Sequence, residues 1–492
     1  MKRPPNVLLL MSDQHRADLM SCVGNSLVPT PGIDKIASAG MLLENTYCPY
    51  PLCVASRMSF LTSLYAHNSG AIDNNDRLNW GFRTIAHHFS DNGYLTGLIG
   101  KMHFNDAHKR GFEYHLSVND WLMYLGPKVR HYANQVANHD WMFHKGPDNY
   151  HEKSSVFDTG CSFPDLPDLW KNNNPWIEDV TRWPVNQINS PLAAEDQLDS
   201  FITRETINFL KQNKSQPFFL VASFMMPHCP LYPPKKWADR FPIDSEVLPE
   251  IGDISKYPEH IKERINRHKS HGKPANLFHR AGYHGCLSFV DHLIGTIYDC
   301  LSELGLKDDT IVVYTSDHGE MDGDHGIFQK FCMFEPAIKV PLIISFPGRL
   351  PMGLTNEGLT EYIGLYPTLA ELAGIPEPKE VYLPGAKPEA PYLASNFDGV
   401  SFVEQLLNPT AKGADAIFSE YSLKNLPNQY AVREMRYKYV HNHGSTHELY
   451  DLKKDPYEME NQINRHDLSE TISRLKERLY NWYNPENNIY LS

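Results

Sequence analysis

Short, unbroken apolar runs recur along the chain, separated by segments in which apolar residues return every three or four positions. The runs are residues 6–11 (NVLLLM), 95–99 (LTGLI), 217–224 (PFFLVASF), 310–315 (TIVVYT) and 340–346 (VPLIISF). Continuous rather than alternating hydrophobicity predicts strands covered on both faces, as in a parallel sheet flanked by helices. The helical-period segments fall at 33–39, 55–64, 84–92, 198–213 and 280–304. This alternation predicts a doubly wound α/β fold, with a mostly parallel sheet flanked by helices.

The pattern changes near residue 412. Residues 431–433, 437–441 and the run ELYDL read as short strands, and 469–482 as a closing helix. The proline-rich stretch 376–391 reads as the connector before them. The expected division is a large α/β domain over 1–411 and an α+β subdomain over 412–492.

Composition narrows the function. The 492 residues carry 46 basic and 59 acidic side chains, a formal charge of −13. That balance argues against nucleic-acid binding, which draws on a basic excess. At 41% hydrophobic residues the chain can bury a large core, so disorder is excluded as its main state. No window approaches the roughly 20 apolar residues of a membrane span, so no membrane partner is expected. The run Val7 to Met11 is too short for a signal-peptide core and reads as a strand. The expectation is a cytoplasmic chain, periplasmic or secreted only if a leader has been removed. Eight cysteines (22, 48, 53, 161, 229, 286, 300, 332) show no CxxC pair, which predicts reduced thiols.

In open α/β sheets the ligand site lies outside the carboxyl ends of the strands. Those ends are polar here: Asp13 and Gln14 after the first run, Lys101 and His103 after the second, His228 after the third, Asp317 and His318 after the fourth. One such aspartate is commonly a helix cap, but four strand ends delivering carboxylate, imidazole or ammonium to one edge are not explained by capping. Asp13, Gln14, Asp317 and His318 offer hard oxygen donors and one imidazole, a set for Ca²⁺, Mg²⁺ or Mn²⁺ rather than zinc. Two carboxylates together need a counter-charge, and a divalent cation provides one. Cys53 sits at the start of a helical run, where free N–H groups and the dipole favour an anion, and Arg57 follows one turn later. In isolation, C-x-x-x-R is more often a buried thiol beside a surface arginine.

Seven motifs lie in a single order: NVLLLMSDQ, CVASR followed by LTSLYAHNSG, GKMH at 100–103, MMPHCP at 225–230, SDHGEMDGDHG at 316–326, the lysine of FQKFCMFEPAIKVPLII, and YKYV with ELYDLKKDPYEMEN. In this order and over nearly the whole chain, the sequence resembles the sulfatase family of the alkaline phosphatase superfamily. The resemblance implies an alkaline-phosphatase-like fold, a large mixed, mostly parallel sheet sandwiched by helices, followed by a small C-terminal antiparallel sheet with a packed helix. It implies a sulfuric ester hydrolase in which Cys53 is oxidised to formylglycine, whose hydrate is the nucleophile and, with Asp13, Gln14, Asp317 and His318, a metal ligand. Ca²⁺ is the expected ion, with Mn²⁺ or Mg²⁺ as alternatives. Ala55 stands where proline is commoner, and the family implies that C-x-A-x-R sites are matured by an anaerobic-type, radical formylglycine-generating enzyme in a bacterial cell.

The implied roles follow. Arg57, Lys101 and Lys330 stabilise charge on the sulfuryl oxygens. His228 and Lys330 are candidates to protonate the leaving oxygen, and His103 is the base that releases sulfate. Gln14 replaces a second aspartate and His318 an asparagine, removing one negative charge from the ligand set. That departure, with GKMHF and GFE at 111–113, brings the chain nearer the choline-sulfatase and phosphonate-monoesterase branches. The expected substrate is a small-molecule or carbohydrate sulfate ester. A phosphonate monoester or phosphodiester is the alternative, and a non-catalytic metal-holding scaffold is the alternative of another class.

Residues 104–193 carry Trp121, Trp141, Trp170, Trp176 and Trp183 among many His, Asn and Pro. They read as long loops over the strand edge: packing insertions, a homo-oligomer contact, or a specificity lid whose aromatic faces hold an organic group. Asn74 and Asn75 are further candidates for substrate contact. His325 lies near the metal segment in sequence without thereby being a ligand.

Overall fold

The computed structural model describes residues 3–106, 108–126, 189–190, 192–386, 394–422 and 428–485. Eight strands form one sheet: β1 (Asn6–Asp13), β2 (Met41–Tyr47), β3 (Leu95–Gly100), β4 (Tyr114–Leu116), β5 (Phe218–Pro227), β6 (Thr310–Ser316), β7 (Leu342–Ser345) and β8 (Leu354–Glu361). Their order is β4-β3-β5-β1-β6-β7-β2-β8. Only β7 runs against its neighbours, β6 and β2; the other pairings are parallel. The sheet is therefore mostly parallel, as the hydrophobic pattern predicts, and mixed, as the family resemblance implies.

The unbroken apolar runs have a direct cause. In β1, Val7, Leu9 and Met11 point into one hydrophobic layer, whereas Leu8 and Leu10 point into the layer on the opposite face. In β6, Ile311 and Val313 divide from Val312 and Tyr314 in the same way. A strand with core on both sides has no polar face, so its sequence cannot alternate. One layer is roofed by the helices Pro31–Ser38, Leu198–Asn213 and Lys273–Glu303, the other by Cys53–Thr62, Ile85–Asp91 and Leu365–Ala373.

The predicted strand at 340–346 is shorter in the structure because Pro341 lacks the N–H that a ladder needs. The helix predicted at 280–304 starts earlier, at Lys273, with Pro274 in its first turn, where a missing N–H costs nothing. Strands β2 and β8, like the short edge strand β4, escaped the sequence reading. Their runs MLLENTY and LTNEGLTE carry polar residues that face partly into solvent.

A second, antiparallel sheet comprises β9 (Ile417–Tyr421), β10 (Gln429–Arg433), β11 (Tyr437–Asn442) and β12 (Glu448–Asp451), in the order β12-β11-β10-β9. The helix Ser469–Trp482 packs on it through Leu475 and Leu479. The ammonium of Lys438, fully buried, is held by Glu458 (2.5 Å), Glu335 (3.1 Å) and the Met333 carbonyl (2.6 Å), which ties this sheet to the large one. Of the segment 104–193, residues 107, 127–188 and 191, with Trp141, Trp170, Trp176 and Trp183 among them, lie outside the described residues. Trp121 is described and buried, its indole N–H donating to the Asp196 carbonyl. Among the described residues no helix is long and apolar enough to cross a membrane.

Candidate active site

The residues ending the central strands meet above the sheet edge. Asp13 is the last residue of β1, Lys101 follows β3, His228 follows β5 and Asp317 follows β6. The close approach of β3 to β5 requires Gly100: at φ 100°, a Cβ there would lie 2.1 Å from the Ser223 carbonyl oxygen, which accepts the Lys101 N–H. Only glycine combines that backbone with that contact.

Cys53 opens the helix Cys53–Thr62 and its Sγ faces the assembled groups. It lies 3.2 Å from His318 Nε2, 3.9 Å from Asp13 Oδ1, 3.8 Å from Lys101 Nζ and 3.7 Å from Lys330 Nζ. The ligand atoms of Asp13, Cys53, Asp317 and His318 all lie within 4.8 Å of one another, and all four residues are buried. Two carboxylate oxygens, an imidazole nitrogen and the side chain at position 53 form a donor set that fits a hard or borderline divalent ion.

Arg57 is fully buried and braces this set from below. Its Nη2 donates to Asp13 Oδ2 and its Nε to Asp317 Oδ2, both at 2.8 Å; Nη1 donates to the Lys101 carbonyl (2.6 Å) and Ser223 Oγ (2.8 Å). Lys101 Nζ adds a third cation contact to the carboxylates, 2.6 Å from Asp13 Oδ2. The carboxylates thus draw counter-charge from the protein itself, which the sequence reading assigned to the metal. The guanidinium is committed to the walls of the site, whereas the resemblance implied that it clamps sulfuryl oxygens.

The electrostatics follow from this packing. Burial opposes the charge on Asp13, yet Lys101 foremost, with Arg57, holds its carboxyl well below the usual carboxylate range. Burial and Asp13 likewise oppose ionisation of Cys53, but Lys101, Lys330 and His318 prevail and lower the thiol pKa. His103 and His228 are both held well below the ordinary imidazole range, by burial first and then by neighbouring cations, Lys101 and Arg57 for His103 and Lys330 for His228. His103 is buried, and among the described residues neither of its ring nitrogens has a hydrogen-bond partner. Its backbone, like that of Gln14, lies in the left-handed region (φ 69° and 66°), which costs a non-glycine residue about 1–2 kcal/mol. Such strain clusters at functional sites.

Gln14 turns its amide oxygen to Lys330 Nζ at 2.5 Å and donates its N–H to Glu320. Lys330 Nζ also lies 2.9 Å from His228 Nε2. All ten residues singled out from the sequence, Asp13, Gln14, Cys53, Arg57, Lys101, His103, His228, Asp317, His318 and Lys330, therefore converge on this edge. The structure adds Ser223 and Glu320, which the sequence reading passed over. Ser223 carries no local signal, whereas Glu320 stands two residues beyond His318 inside SDHGEMDGDHG. Asn74 accepts the Val54 N–H and so caps the cysteine helix, while Asn75 bonds Asp73. His325 stacks on Phe334 and pairs with Tyr257, outside the cluster.

The sulfatase family model matches residues 5–375, and the model of the N-sulphoglucosamine sulphohydrolase C-terminal region matches 323–484. The chain belongs to the sulfatase family. As a member it is a sulfuric ester hydrolase. This sulfatase is 31% identical over 485 residues to an arylsulfatase of Clostridium perfringens, covering 96% of this chain and 93% of that one. It is 27% identical over 471 residues to a choline-sulfatase of Rhizobium meliloti, covering 93% and 82%. Its fold matches a phosphonate monoester hydrolase of Agrobacterium radiobacter with a TM-score of 0.75 at 22% identity, over 97% of this chain and 95% of that one. These relatives include both branches to which Gln14 and His318 point. Family members generally use a divalent metal and a formylglycine, and the donor cluster around position 53 is compatible with both.

Proposed function

We propose that this sulfatase hydrolyses a small-molecule or carbohydrate sulfate monoester with Cys53 matured to formylglycine and a divalent ion, Ca²⁺ foremost, held by Asp13, Gln14, Asp317, His318 and the modified side chain. The observation that carries the proposal is the position of Cys53 Sγ, within 4 Å of Asp13, His318, Lys101 and Lys330 at once. When present, the ion supplies Lewis acidity and the hydrated aldehyde supplies the nucleophilic hydroxyl.

The chain's own residues do the rest. Lys101 and Lys330, flanking position 53 from two directions, bind and neutralise the sulfuryl oxygens. Arg57 holds Asp13 and Asp317 in place and touches no substrate. His228 Nδ1 lies 2.7 Å from the Cys229 carbonyl, an acceptor only, so Nδ1 carries the ring hydrogen and Nε2 is left to accept from Lys330. The proton offered to the leaving oxygen therefore sits on Lys330, with His228 orienting it. His103, neutral and unpartnered among the described residues, is the base that takes a proton as sulfate departs. A small cavity of about 20 Å³, lined in part by Trp121, Met225, Met226 and Tyr232, lies beside His228.

Peptide mass spectrometry of natively produced protein tests the proposal together with sulfate release. The expected peptide containing residue 53 is lighter than its cysteine form by the exchange of a thiol for an aldehyde. A protein that turns over sulfate esters with Cys53 wholly as thiol would overturn it.

The fold match to a phosphonate monoester hydrolase, with the less negative donor set, favours one second reading: a phosphonate monoester as the preferred substrate. Rates on matched aryl sulfate and aryl phosphonate esters separate the two.

A further inference from the structure

Glu320 is completely buried, and the reaction as proposed does not use it. One of its oxygens, Oε2, accepts the Gln14 side-chain N–H. The other, Oε1, accepts the backbone N–H groups of Asp322 (2.9 Å) and of Gln329, the residue before Lys330. A primary amide can be turned over, and both orientations have the same shape. Here they do not have the same energy. With its nitrogen toward the Glu320 carboxylate and its oxygen toward the Lys330 ammonium, the Gln14 amide makes two charge-assisted bonds. Turned over, it would set oxygen against carboxylate and N–H against ammonium.

We infer that Glu320 is a positioning residue: its carboxylate fixes the oxygen of Gln14 toward the metal donor cluster, and through the Gln329 N–H it anchors the backbone that delivers Lys330. A single buried carboxylate thus orients a neutral donor and sets the lysine beside it. The inference rests on the metal reading given under the proposed function and deepens it. The left-handed backbone of Gln14 is secured separately, by Asp317 Oδ1 accepting its N–H (3.0 Å) and Tyr283 donating to its carbonyl (2.7 Å). Glu320 is therefore left with the amide's orientation as its particular task. Partners that orient metal ligands in this way are commonly worth 10–100-fold in metal affinity.

Because polarity is the argument, exchanging the two groups tests it. Glu320→Gln faces the Gln14 amide with a second amide; Gln14→Glu sets two carboxylates against each other. The double variant Gln14→Glu/Glu320→Gln restores a donor facing an acceptor, keeps an oxygen toward Lys330 and leaves the net charge unchanged. Calorimetric titration of the four metal-free proteins with Ca²⁺ and with Mn²⁺, alongside their thermal unfolding, is the measurement. Glu320→Gln is expected to bind the ion on the order of 10–100-fold more weakly, Gln14→Glu to be impaired as well, and the double variant to return to within a few-fold of wild type.

Affinity retained by Glu320→Gln overturns the inference, as does a double variant no better than Glu320→Gln. Gln14→Glu binding as well as the double variant overturns it too, since ligand charge alone would then set affinity. If Glu320→Gln does not fold, a folded, metal-binding double variant supports the inference and a double variant that also fails to fold overturns it. Wild type binding neither ion overturns the metal reading itself and this inference with it; binding that ignores both substitutions overturns the inference alone.

Discussion

Lys330 Nζ lies 2.9 Å from His228 Nε2, and the Cys229 carbonyl occupies the other side of the imidazole at Nδ1. The ring is thus a neutral acceptor beside an ammonium, and burial with the Lys330 charge holds it well below its ordinary pKa. Lys330, whose charge burial opposes but Cys53 and Asp13 favour, stays protonated.

The first prediction concerns the leaving group. A proton donor matters most when the departing oxygen is basic, so Lys330→Ala should slow hydrolysis of alkyl sulfates by about 10²–10⁴-fold and of activated aryl sulfates much less. The dependence of kcat/KM on leaving-group pKa, compared between wild type and variant, is the measurement. A uniform loss across the series would assign Lys330 to sulfuryl binding alone.

His103→Ala should separate the two halves of the reaction. The base acts after the alcohol has left, so the variant is expected to release a burst of about one alcohol per active site and then turn over 10²–10⁴-fold more slowly. Stopped-flow measurement of a chromogenic leaving group shows the burst, and a slow first turnover would move His103 to the attack step.

Arg57 carries a stability prediction. Arg57→Met leaves the Asp13 and Asp317 carboxylates with Lys101 on Asp13 and the His318 imidazole, 3.8 Å from Asp317, as their remaining counter-charges among the described residues. Breaking a buried pair on one side costs about 3–5 kcal/mol. Urea unfolding of the metal-free protein should show that loss, and a divalent cation should return part of it by replacing the counter-charge. Equal stability of variant and wild type with chelator present would contradict the bracing role.

Asp199 predicts a pH effect on stability. Its carboxylate accepts the Met225 and Met226 N–H groups at 2.7 and 3.2 Å, yet burial raises its pKa to about 6 from 3.8. A group with a raised folded-state pKa contributes stability below its unfolded pKa and loses it as pH climbs through the folded value. Wild type should therefore lose up to about 3 kcal/mol relative to Asp199→Asn between pH 4 and pH 7. Unfolding free energies of both proteins across that range measure it; a constant difference would show that Asp199 does not titrate there.

The central strands, the bounds of the helices Leu198–Asn213 and Ser469–Trp482, and the polar strand ends were all legible, because burial on both faces and helical periodicity write themselves into local runs. Strands β2 and β8 were not, since residues partly open to solvent interrupt their apolar runs. The antiparallel course of β7 was also illegible, because a short buried strand has the same composition in either direction.

At the site the sequence by itself determined the chemical inventory: a thiol at a helix start, two carboxylates, three imidazoles, two lysines and an arginine, each displayed by a motif that stays together along the chain. Only the tertiary structure decided which of these groups spend their charge on one another. Arg57 faces Asp13 and Asp317 across contacts spanning 44 and 260 positions, and Gln14 meets Glu320 across 306. Local patterning follows from what each segment must bury, whereas a pairing between distant segments depends on how the whole sheet brings its strand ends together.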